Sequence, residues 1–241
     1  MTVVVDERLA GAADTYAAQA MVALHAMFRR EFGELSGLVR AVAAGDTRRA
    51  ALVADHIVLV SGVLSRHLSG QDRHIWPRLR ERCPEQCAPL ADVMQGSLRH
   101  AVQTCLLQVR QAAWSWRGSA SAQARDVLAG AVDRLVRAAA EHLDFEEELV
   151  VPLVDKHITE AEYAAKVREH AASIPRDKLP AVFGMVMYGG DPVVVGMVVT
   201  EMPVEVQPVI MDLAVRAYAA YADELYGPAA PPGATGLTPA A

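Results

Sequence analysis

The chain has 241 residues and a formal net charge of −6, with 52% apolar residues and 5% aromatic residues. This length allows one sizeable core, and the mild charge without a long basic run argues against a nucleic-acid or anionic-membrane partner. The cysteines, Cys83, Cys87 and Cys105, are an odd number without a second Cys/His pair at zinc-finger spacing. They favour a reducing, cytoplasmic location over a disulfide framework. The first residues have no basic start and only a short apolar run, so no secretory signal is expected.

Apolar residues at helical spacing predict an all-α protein, and the sequence shows no clear alternating strand pattern. The first predicted helix covers about residues 14–44, and the second runs from about Thr47 past Pro77. Gly45 is a typical helix-ending glycine, and Asp46 and Thr47 are candidate N-caps of the second helix. Pro77 requires a kink or a helix end just before it, because proline has no backbone N–H.

An irregular connection is predicted between the second and third helices. The two prolines of Cys83–Leu90 indicate this connection, and the third helix then covers about residues 91–116. The stretch Gly118–Ser121 supplies the next turn and N-cap, and the fourth helix covers about residues 122–151. We expect the fourth helix to stop or bend at Pro152.

Shorter helices complete the predicted fold. Thr159 and Glu162 have the spacing of a capping box, which starts the fifth helix. The apolar stretch Leu179–Pro203 is interrupted at residues 189–192 by Gly-Gly-Asp-Pro. Neither half reaches the roughly 18 residues of a membrane-spanning helix, so the stretch predicts two short buried helices.

The predicted second and fourth helices repeat one pattern. Arg66–Pro77 reads RHLSGQDRHIWP, and Glu141–Pro152 reads EHLDFEEELVVP. Each has a His, a Gln or Glu four residues later and a Pro ten residues after the His: His67, Gln71 and Pro77, then His142, Glu146 and Pro152. The two sets are 75 positions apart. His25 and His100, on the first and third helices, are separated by the same 75 positions.

These four histidines are expected at one level of a four-helix bundle. In an antiparallel helix pair, two residues equidistant from the turn lie at the same height, and the midpoint of each pair, residue 46 or 121, falls in a predicted turn. Two packed hairpins would therefore place four imidazoles in one layer, where bundles commonly build metal sites. A coordinated metal removes the cost of burying imidazoles without polar partners. Glu146 lies one turn from His142, and imidazole with carboxylate suits iron, manganese or zinc.

The same residues resemble the signature of the hemerythrin-like (HHE cation-binding) family. That signature has a His on the first helix, His-x-x-x-Glu and a later Pro on the second, a His on the third, and His-x-x-x-Glu and a later Pro on the fourth. The HAMFRRE context of His25 is similar to actinobacterial members. The resemblance covers residues 14–157 and implies an up-down-up-down four-helix bundle. We expect residues 158–226 to form a helical extension packed on that bundle, and the Gly/Pro/Ala-rich tail, residues 227–241, to be disordered.

The resemblance implies a non-heme di-iron centre bridged by two carboxylates and an oxo or hydroxo group. The metal ligands that it implies in this chain are His25, His67, His100, His142 and Glu146. Glu147 is an alternative carboxylate, because some members place the ligand one residue later. Gln71 departs from the family, which has a second bridging Glu there. A neutral amide removes a counter-charge from a buried site, so we expect the second iron to bind weakly or not at all.

Two other histidines share the helix face of His67. His74 lies seven residues after His67 and is either an additional ligand or a contact with solvent at the end of the bundle. His56 lies eleven residues before His67, about 16 Å away along the helix axis, and is a candidate core or ligand-supporting residue. The sequence assigns no catalytic residue.

The resemblance implies a protein that binds and activates a small oxidant, dioxygen or peroxide, or that handles nitric oxide. Two alternatives stay open: an iron-dependent oxidase or oxygenase acting on a small organic substrate, and a degenerate bundle with a regulatory role. If the protein is an enzyme, we expect a non-heme di-iron oxidoreductase of oxidase, oxygenase or catalase type. The apolar C-terminal helices are expected to cap the bundle, cover a channel or form a homodimer surface.

Overall fold

The computed structural model describes residues 15–202 and 204–227. Within these ranges the chain forms α-helices and two π-helical turns and no strand, which confirms the predicted all-α class. The helices are α1 Tyr16–Arg40, α2 Thr47–His74, α3 Trp76–Arg82, α4 Pro84–Val93, α5 Arg99–Arg117, α6 Ala122–Phe145, α7 Val151–His157, α8 Glu160–Ala172, α9 Leu179–Met187, α10 Pro192–Thr200 and α11 Gln207–Tyr226. The π-helical turns are Met94–Leu98, before α5, and Glu146–Val150, after α6.

Four helices, α1, α2, α5 and α6, pack side by side in a ring. Contacts join α1 to α2, α2 to α5, α5 to α6, and α6 back to α1. Each helix turns one apolar stripe inward, and the largest side chains of the shared core include Phe28, Leu64 and Trp116, all buried. Removing these stripes from water is the main force that holds such a bundle together.

The turns between α1 and α2 and between α5 and α6 lie against each other at one end of the ring. Gly45 has a φ of 87°, which glycine adopts without steric cost, and its N–H donates to the carbonyl of Ala120 over 2.9 Å. Asp46 caps α2 through the N–H of Arg49, and Ser121 caps α6 through the N–H of Ala124. The predicted N-caps are confirmed, whereas the prediction that Gly45 ends the first helix is wrong, because α1 ends at Arg40 and its C-cap is Ala41.

The predicted irregular connection at Cys83–Leu90 is wrong, because this segment lies in α4, which begins at Pro84. Proline is tolerated at the first helical position, where no backbone N–H is needed, and Pro89 inside the helix removes a single hydrogen bond. Pro152 likewise lies in the first turn of α7, so the chain continues as a helix after the π-helical turn.

The helices after α7 pack on the ring. Thr159 and Glu162 form the predicted capping box at the start of α8, which contacts α1 and α2. Helices α9 and α10 both contact α1, and α9 packs closely on α11 because Gly184 has no Cβ. A Cβ there would lie 2.5 Å from the carbonyl oxygen of Ala214. The division of the chain at residue 157 stays a prediction, and residues 228–241 of the predicted disordered tail lie outside the described residues.

The apolar stretch Leu179–Pro203 forms two helices, α9 and α10, separated at residues 188–191, as predicted. Most of α9 is buried, whereas α10 buries only Val194 and Val195, so the expectation that both helices are buried is wrong for α10. In the described part of the chain, one helical segment, Thr47–Arg82, is long and apolar enough to cross a membrane. Of its most apolar window, 56% is buried inside the protein, as in a helix of a protein core.

Candidate metal centre

Three histidines and one glutamate meet inside the ring of helices. His25 lies in the middle of α1, His67 near the end of α2, His142 near the end of α6, and Glu146 opens the π-helical turn that follows α6. Their exposed fractions are between 0% and 2%, so water does not reach them. We call these four residues the histidine cluster.

The histidine cluster is organised around a single carboxylate oxygen. The Oε2 atom of Glu146 lies 3.3 Å from Nε2 of His25, 3.4 Å from Nε2 of His67 and 3.7 Å from Nε2 of His142. The rings of His25 and His67 meet edge to face, with centroids 5.2 Å apart. Three imidazoles thus turn the same nitrogen toward one point.

These distances suit a metal ion better than they suit hydrogen bonds. Ligand bonds of about 2.0–2.2 Å at tetrahedral or octahedral angles place neighbouring donor atoms roughly 2.8–3.6 Å apart. Five buried atoms of the cluster have no hydrogen-bond partner among the described residues: Nε2 of His25, Nδ1 of His67, both ring nitrogens of His142 and Oε1 of Glu146. Buried polar atoms are rarely left unpaired, because each one costs free energy. Ligand atoms of His25, His67 and Glu146 lie within 4.8 Å of one another, so this buried group could hold a metal ion.

The charges within the cluster follow from burial and from Glu146. Burial would raise the pKa of Glu146, but His25 and His67 outweigh it and hold that pKa well below its usual value. Burial would lower the pKa of His25, but the carboxylates of Glu146 and Glu147 raise it. Burial lowers the pKa of His67 to about 3 and also lowers the pKa of His142. Neutral imidazoles and an ionised carboxylate are the forms that bind metals, so His67, His142 and Glu146 are ready to bind, whereas His25 would release a proton when its Nε2 binds an ion.

Gln71 lies against the cluster, as its helix position predicts. Its side chain is buried, and its amide nitrogen lies 3.0 Å from Nε2 of His67. Its oxygen, Oε1, has no hydrogen-bond partner among the described residues. A half-turn of the amide exchanges the two atoms and brings the oxygen, a metal-binding atom, to the same place.

Glu147 supports His25 from the outer side. Its Oε1 lies 2.9 Å from Nδ1 of His25, and Arg29 donates a hydrogen bond to the same oxygen. Glu147 is 30% exposed in its side chain and contacts the ring nitrogen that faces away from Glu146. A carboxylate in this position fixes the orientation of a metal-binding imidazole and makes it more basic. Glu147 therefore orients His25, while Glu146 is the carboxylate at the centre of the cluster.

His100 does not join the cluster, and the prediction of four histidines in one buried layer is wrong at this residue. His100 is the second residue of α5 and is exposed. The buried stripe of α5 begins two residues later at Val102, about 200° around the helix axis from His100. His100 is thus turned away from the core by its position on the helix.

The sequence contains a signal that places His100 outside the buried face of α5. About one, two and three turns along its own face lie Gln103, Leu107 and Arg110, of which two are polar. The stripe that starts at Val102 is apolar throughout: Val102, Leu106, Val109, Ala113 and Trp116. Equal spacing along the chain predicts the height of a residue in a bundle, and only the apolar stripe predicts its face.

His74 lies outside the cluster. Its Nε2 is 2.6 Å from Oε2 of Glu169, on α8, and 18% of its side chain is exposed. Of the two interpretations that the sequence left open, this position agrees with a contact near the surface.

His56 belongs to a second buried group, which we call the Glu31 cluster. Nδ1 of His56 lies 2.8 Å from the hydroxyl of Tyr221, and its Nε2 lies 3.8 Å from Oε2 of Glu31. Glu31 accepts hydrogen bonds from Arg30 over 2.9 Å and from the Tyr218 hydroxyl over 3.1 Å. Burial raises the pKa of Glu31 and lowers the pKa of His56 to about 3. The group joins α1 and α2 to α11.

Lys166, on α8, is a further buried charge close to the histidine cluster that the sequence reasoning missed. The residue is 4% exposed, and burial lowers its pKa to about 8 although the charge of Glu146 acts in the opposite direction. A Cβ on Gly70 would lie 3.4 Å from Cε of Lys166, so the glycine leaves room for the lysine stem. The sequence offers one weak signal, because Tyr163, Lys166 and His170 share a helix face.

Comparisons of the chain with protein-family models, with curated proteins and with solved structures gave no match. The fold and the site together define an all-helical protein in which a buried group of His25, His67 and Glu146 could hold a metal ion. Imidazole nitrogens with one carboxylate suit iron, manganese or zinc, and the chemistry of the site depends on which ion it takes.

Proposed function

We propose that the chain is a hemerythrin-like, up-down-up-down four-helix protein that holds one non-heme iron in the histidine cluster and uses it to bind and activate a small oxidant. The observation that carries this proposal is the approach of three Nε2 atoms to a single oxygen of Glu146, at 3.3, 3.4 and 3.7 Å. The hemerythrin-like signature residues His25, His67, His142 and Glu146 supply these atoms. Because the cysteines favour a reducing location, we propose that the protein is cytoplasmic.

Each residue of the site has a part in this function. Bound non-heme iron would supply redox chemistry and a place for dioxygen or peroxide. Glu146 compensates part of the metal charge, and Glu147 with Arg29 holds the ring of His25 in place. Burial of the whole cluster excludes bulk water and strengthens its electrostatic interactions.

The structure supports one iron per chain rather than two. A second ion would need ligands from α5, and its candidate, His100, faces solvent. The amide of Gln71 adds no negative charge beside His67. The ligands that remain for a single ion therefore include His25, His67 and Glu146.

The decisive experiment compares two His→Ala variants in the same assay. Metal-depleted protein is titrated anaerobically with ferrous iron, and bound iron per chain is measured for the wild type, His142→Ala and His100→Ala. We expect one equivalent in the wild type and in His100→Ala, and a loss of more than about 100-fold in affinity in His142→Ala. Parallel titrations with zinc and manganese establish which ion the site prefers.

Two results would contradict the proposal. Equal iron binding by His142→Ala, by a matching His67→Ala variant and by the wild type would remove the histidine cluster from metal binding. Loss of iron in His100→Ala alone would show that α5 takes another orientation in solution.

A second candidate function is an iron-dependent oxidase or oxygenase acting on a small organic substrate. The observation that favours it is an apolar cavity beside the histidine cluster, whose wall includes Leu24, next to His25, and Val63, one turn before His67. Oxidant consumption by the iron-loaded protein, measured with and without a molecule that fills this cavity, separates the two functions. A rate that rises with the molecule supports the second candidate.

A further inference from the structure

The cavity beside the histidine cluster lies between the ring of helices and the C-terminal helices and is partly open to solvent. Its volume is about 110 Å³, and its wall is formed by side chains of α1, α2, α8, α9 and α10 with Met202. Aliphatic and aromatic residues make most of this wall, among them Leu24, Val63, Ile174, Val182 and Phe183. An apolar cavity of about 150 Å³ in another protein binds benzene. This cavity is smaller but is open at one side, so a single ring can enter it without being fully enclosed.

One charged side chain lies in this apolar wall. Lys166 is 4% exposed, and its ammonium forms no hydrogen bond or ion pair with any described residue. Its contact is with the ring of Tyr163, whose centroid lies 4.8 Å from Nζ. A buried ammonium without an anionic partner is costly, and a bound anion would remove that cost.

The balance of charge around the cavity points to the same kind of ligand. The histidine cluster contains one buried carboxylate, Glu146, because Gln71 occupies the place of a second. Lys166 already contributes one positive charge close to Glu146, and a divalent metal would add two more. The site therefore has an excess of positive charge, which an anionic ligand would offset.

We propose that this cavity binds a small apolar carboxylate, of the size of benzoate, with its apolar part between α8 and α9 and its carboxylate at Lys166. The ligand lies next to the histidine cluster, so the inference deepens the proposed function by naming the class of its organic substrate or effector. Binding itself depends on Lys166 and on the cavity wall, and it is expected in the metal-free chain as well.

The test uses three ligands with the same ring and different head groups. Benzoate, benzyl alcohol and benzylamine are titrated calorimetrically into the full chain, with and without bound iron. We expect benzoate to bind more tightly than benzyl alcohol and benzylamine not to bind, because the ammonium of Lys166 selects an anion. Benzoate should bind the iron-loaded chain more tightly than the metal-free chain, because the ion adds positive charge.

Variants then assign the binding to this cavity. Lys166→Met, of similar length and without charge, should weaken benzoate binding on the order of tenfold to hundredfold while changing benzyl alcohol binding by less than about twofold. Lys156→Met, at an exposed lysine on α7, is the matched control and should bind benzoate as the wild type does. Ala171→Leu, which fills the cavity and keeps Lys166, should weaken both ligands.

The inference is overturned if the wild type binds benzoate no more tightly than benzyl alcohol, or if Lys166→Met binds benzoate as tightly as the wild type. Its failure is separable from failure of the proposed function. Lys166-dependent benzoate binding without iron binding would leave the cavity assigned and the metal proposal wrong. Iron binding that depends on His142, without benzoate binding, would show the reverse.

Discussion

The histidine cluster and the Glu31 cluster are both buried between α1 and α2, and they differ in how their polar atoms are satisfied. In the Glu31 cluster the carboxylate accepts hydrogen bonds from Arg30 and Tyr218, and His56 contacts the hydroxyl of Tyr221, so that Nε2 of His56 is its one buried atom without a partner among the described residues. In the histidine cluster, one oxygen of Glu146 and both ring nitrogens of His142 have no such partner. The Glu31 cluster contains a counter-charge for its carboxylate, the guanidinium of Arg30. In the histidine cluster the metal-binding atoms point at one another.

This difference separates a structural network from a candidate binding site. Buried polar groups that are fully hydrogen-bonded fix the arrangement of the helices that carry them. Buried groups left unpaired in a native protein require an explanation, and a bound ion is one. We therefore expect substitutions in the histidine cluster to change metal binding, and substitutions in the Glu31 cluster to change stability.

The largest effect is expected from Glu146→Gln. This change removes the only negative charge at the centre of the histidine cluster and keeps the shape of the side chain. Metal affinity should fall by more than the 10–100-fold that is typical of residues that only support a ligand. Anaerobic iron titration measures the change, and the matched Glu31→Gln variant should bind iron as the wild type does.

Equal loss of iron in Glu146→Gln and Glu31→Gln would show that both clusters act on one site, and the comparison would then fail.

Glu31→Gln should instead lower the free energy of unfolding by about 2–4 kcal/mol. The amide leaves the Arg30 guanidinium without its ionised partner and weakens the hydrogen bond with Tyr218. Urea denaturation measures the loss, and the slope of the unfolding free energy against urea concentration should be the same in both proteins. A difference from the wild type below about 0.5 kcal/mol would contradict the role given to this cluster.

The stability of the metal-free protein should fall with pH below about 6.5 because of His56. Burial lowers the pKa of His56 in the folded protein to about 3, from a usual 6.5, so below 6.5 the unfolded chain binds a proton that the folded chain does not. The contribution between pH 7 and pH 4.5 is about 2–3 kcal/mol.

The control for this pH effect is His56→Gln, which can still contact Tyr221 and does not titrate. Unfolding free energies of both metal-free proteins are measured from pH 7 to pH 4.5, so that the other histidines contribute equally to both. The variant should show a smaller loss of stability, and parallel pH curves would contradict the buried, neutral state of His56.

Much of the fold and part of the site could be predicted from the sequence because they depend on local signals. Apolar periodicity predicts the long helices, and glycine, Asp and Ser predict the turns at Gly45 and Ser121. Helix geometry alone predicts two close pairs, His67 with Gln71 on α2 and His142 with Glu146 at the end of α6, because the residues of each pair lie one turn apart. The all-helical class and the buried His25–His67–Glu146 group are confirmed.

The remaining parts depend on contacts between residues far apart in the chain. His56 meets Tyr221, 165 positions away, and no helix pattern predicts that pair. Lys166 is buried because α8 packs on α2 at Gly70, and lysine on a helix face ordinarily extends to solvent. His100 is different, since the apolar stripe of α5 is local and excludes it, and the equal 75-residue spacing led to the wrong face.

The smallest effect, and the sharpest test of the number of metals, is expected from Gln71→Glu. The new carboxylate would lie beside Nε2 of His67 and add a negative charge to a site that has only Glu146. Iron affinity should rise on the order of tenfold, because an anionic ligand interacts more strongly with a dication than an amide does. Gln71→Met, which removes the polar end, should lower affinity or leave it unchanged.

The number of ions bound by Gln71→Glu should stay at one per chain. A second ion needs further ligands, and the buried residues of α5 are Val102, Leu106, Val109, Ala113 and Trp116, none of which binds metals. Adding a second carboxylate beside His67 therefore tightens one site without creating another. Anaerobic titration that reached two tight equivalents in Gln71→Glu would show that α5 turns His100 inward when metal is present. In that case the original prediction of four histidines in one layer would hold for the metal-bound protein, and the exposed position of His100 would belong to the metal-free state alone.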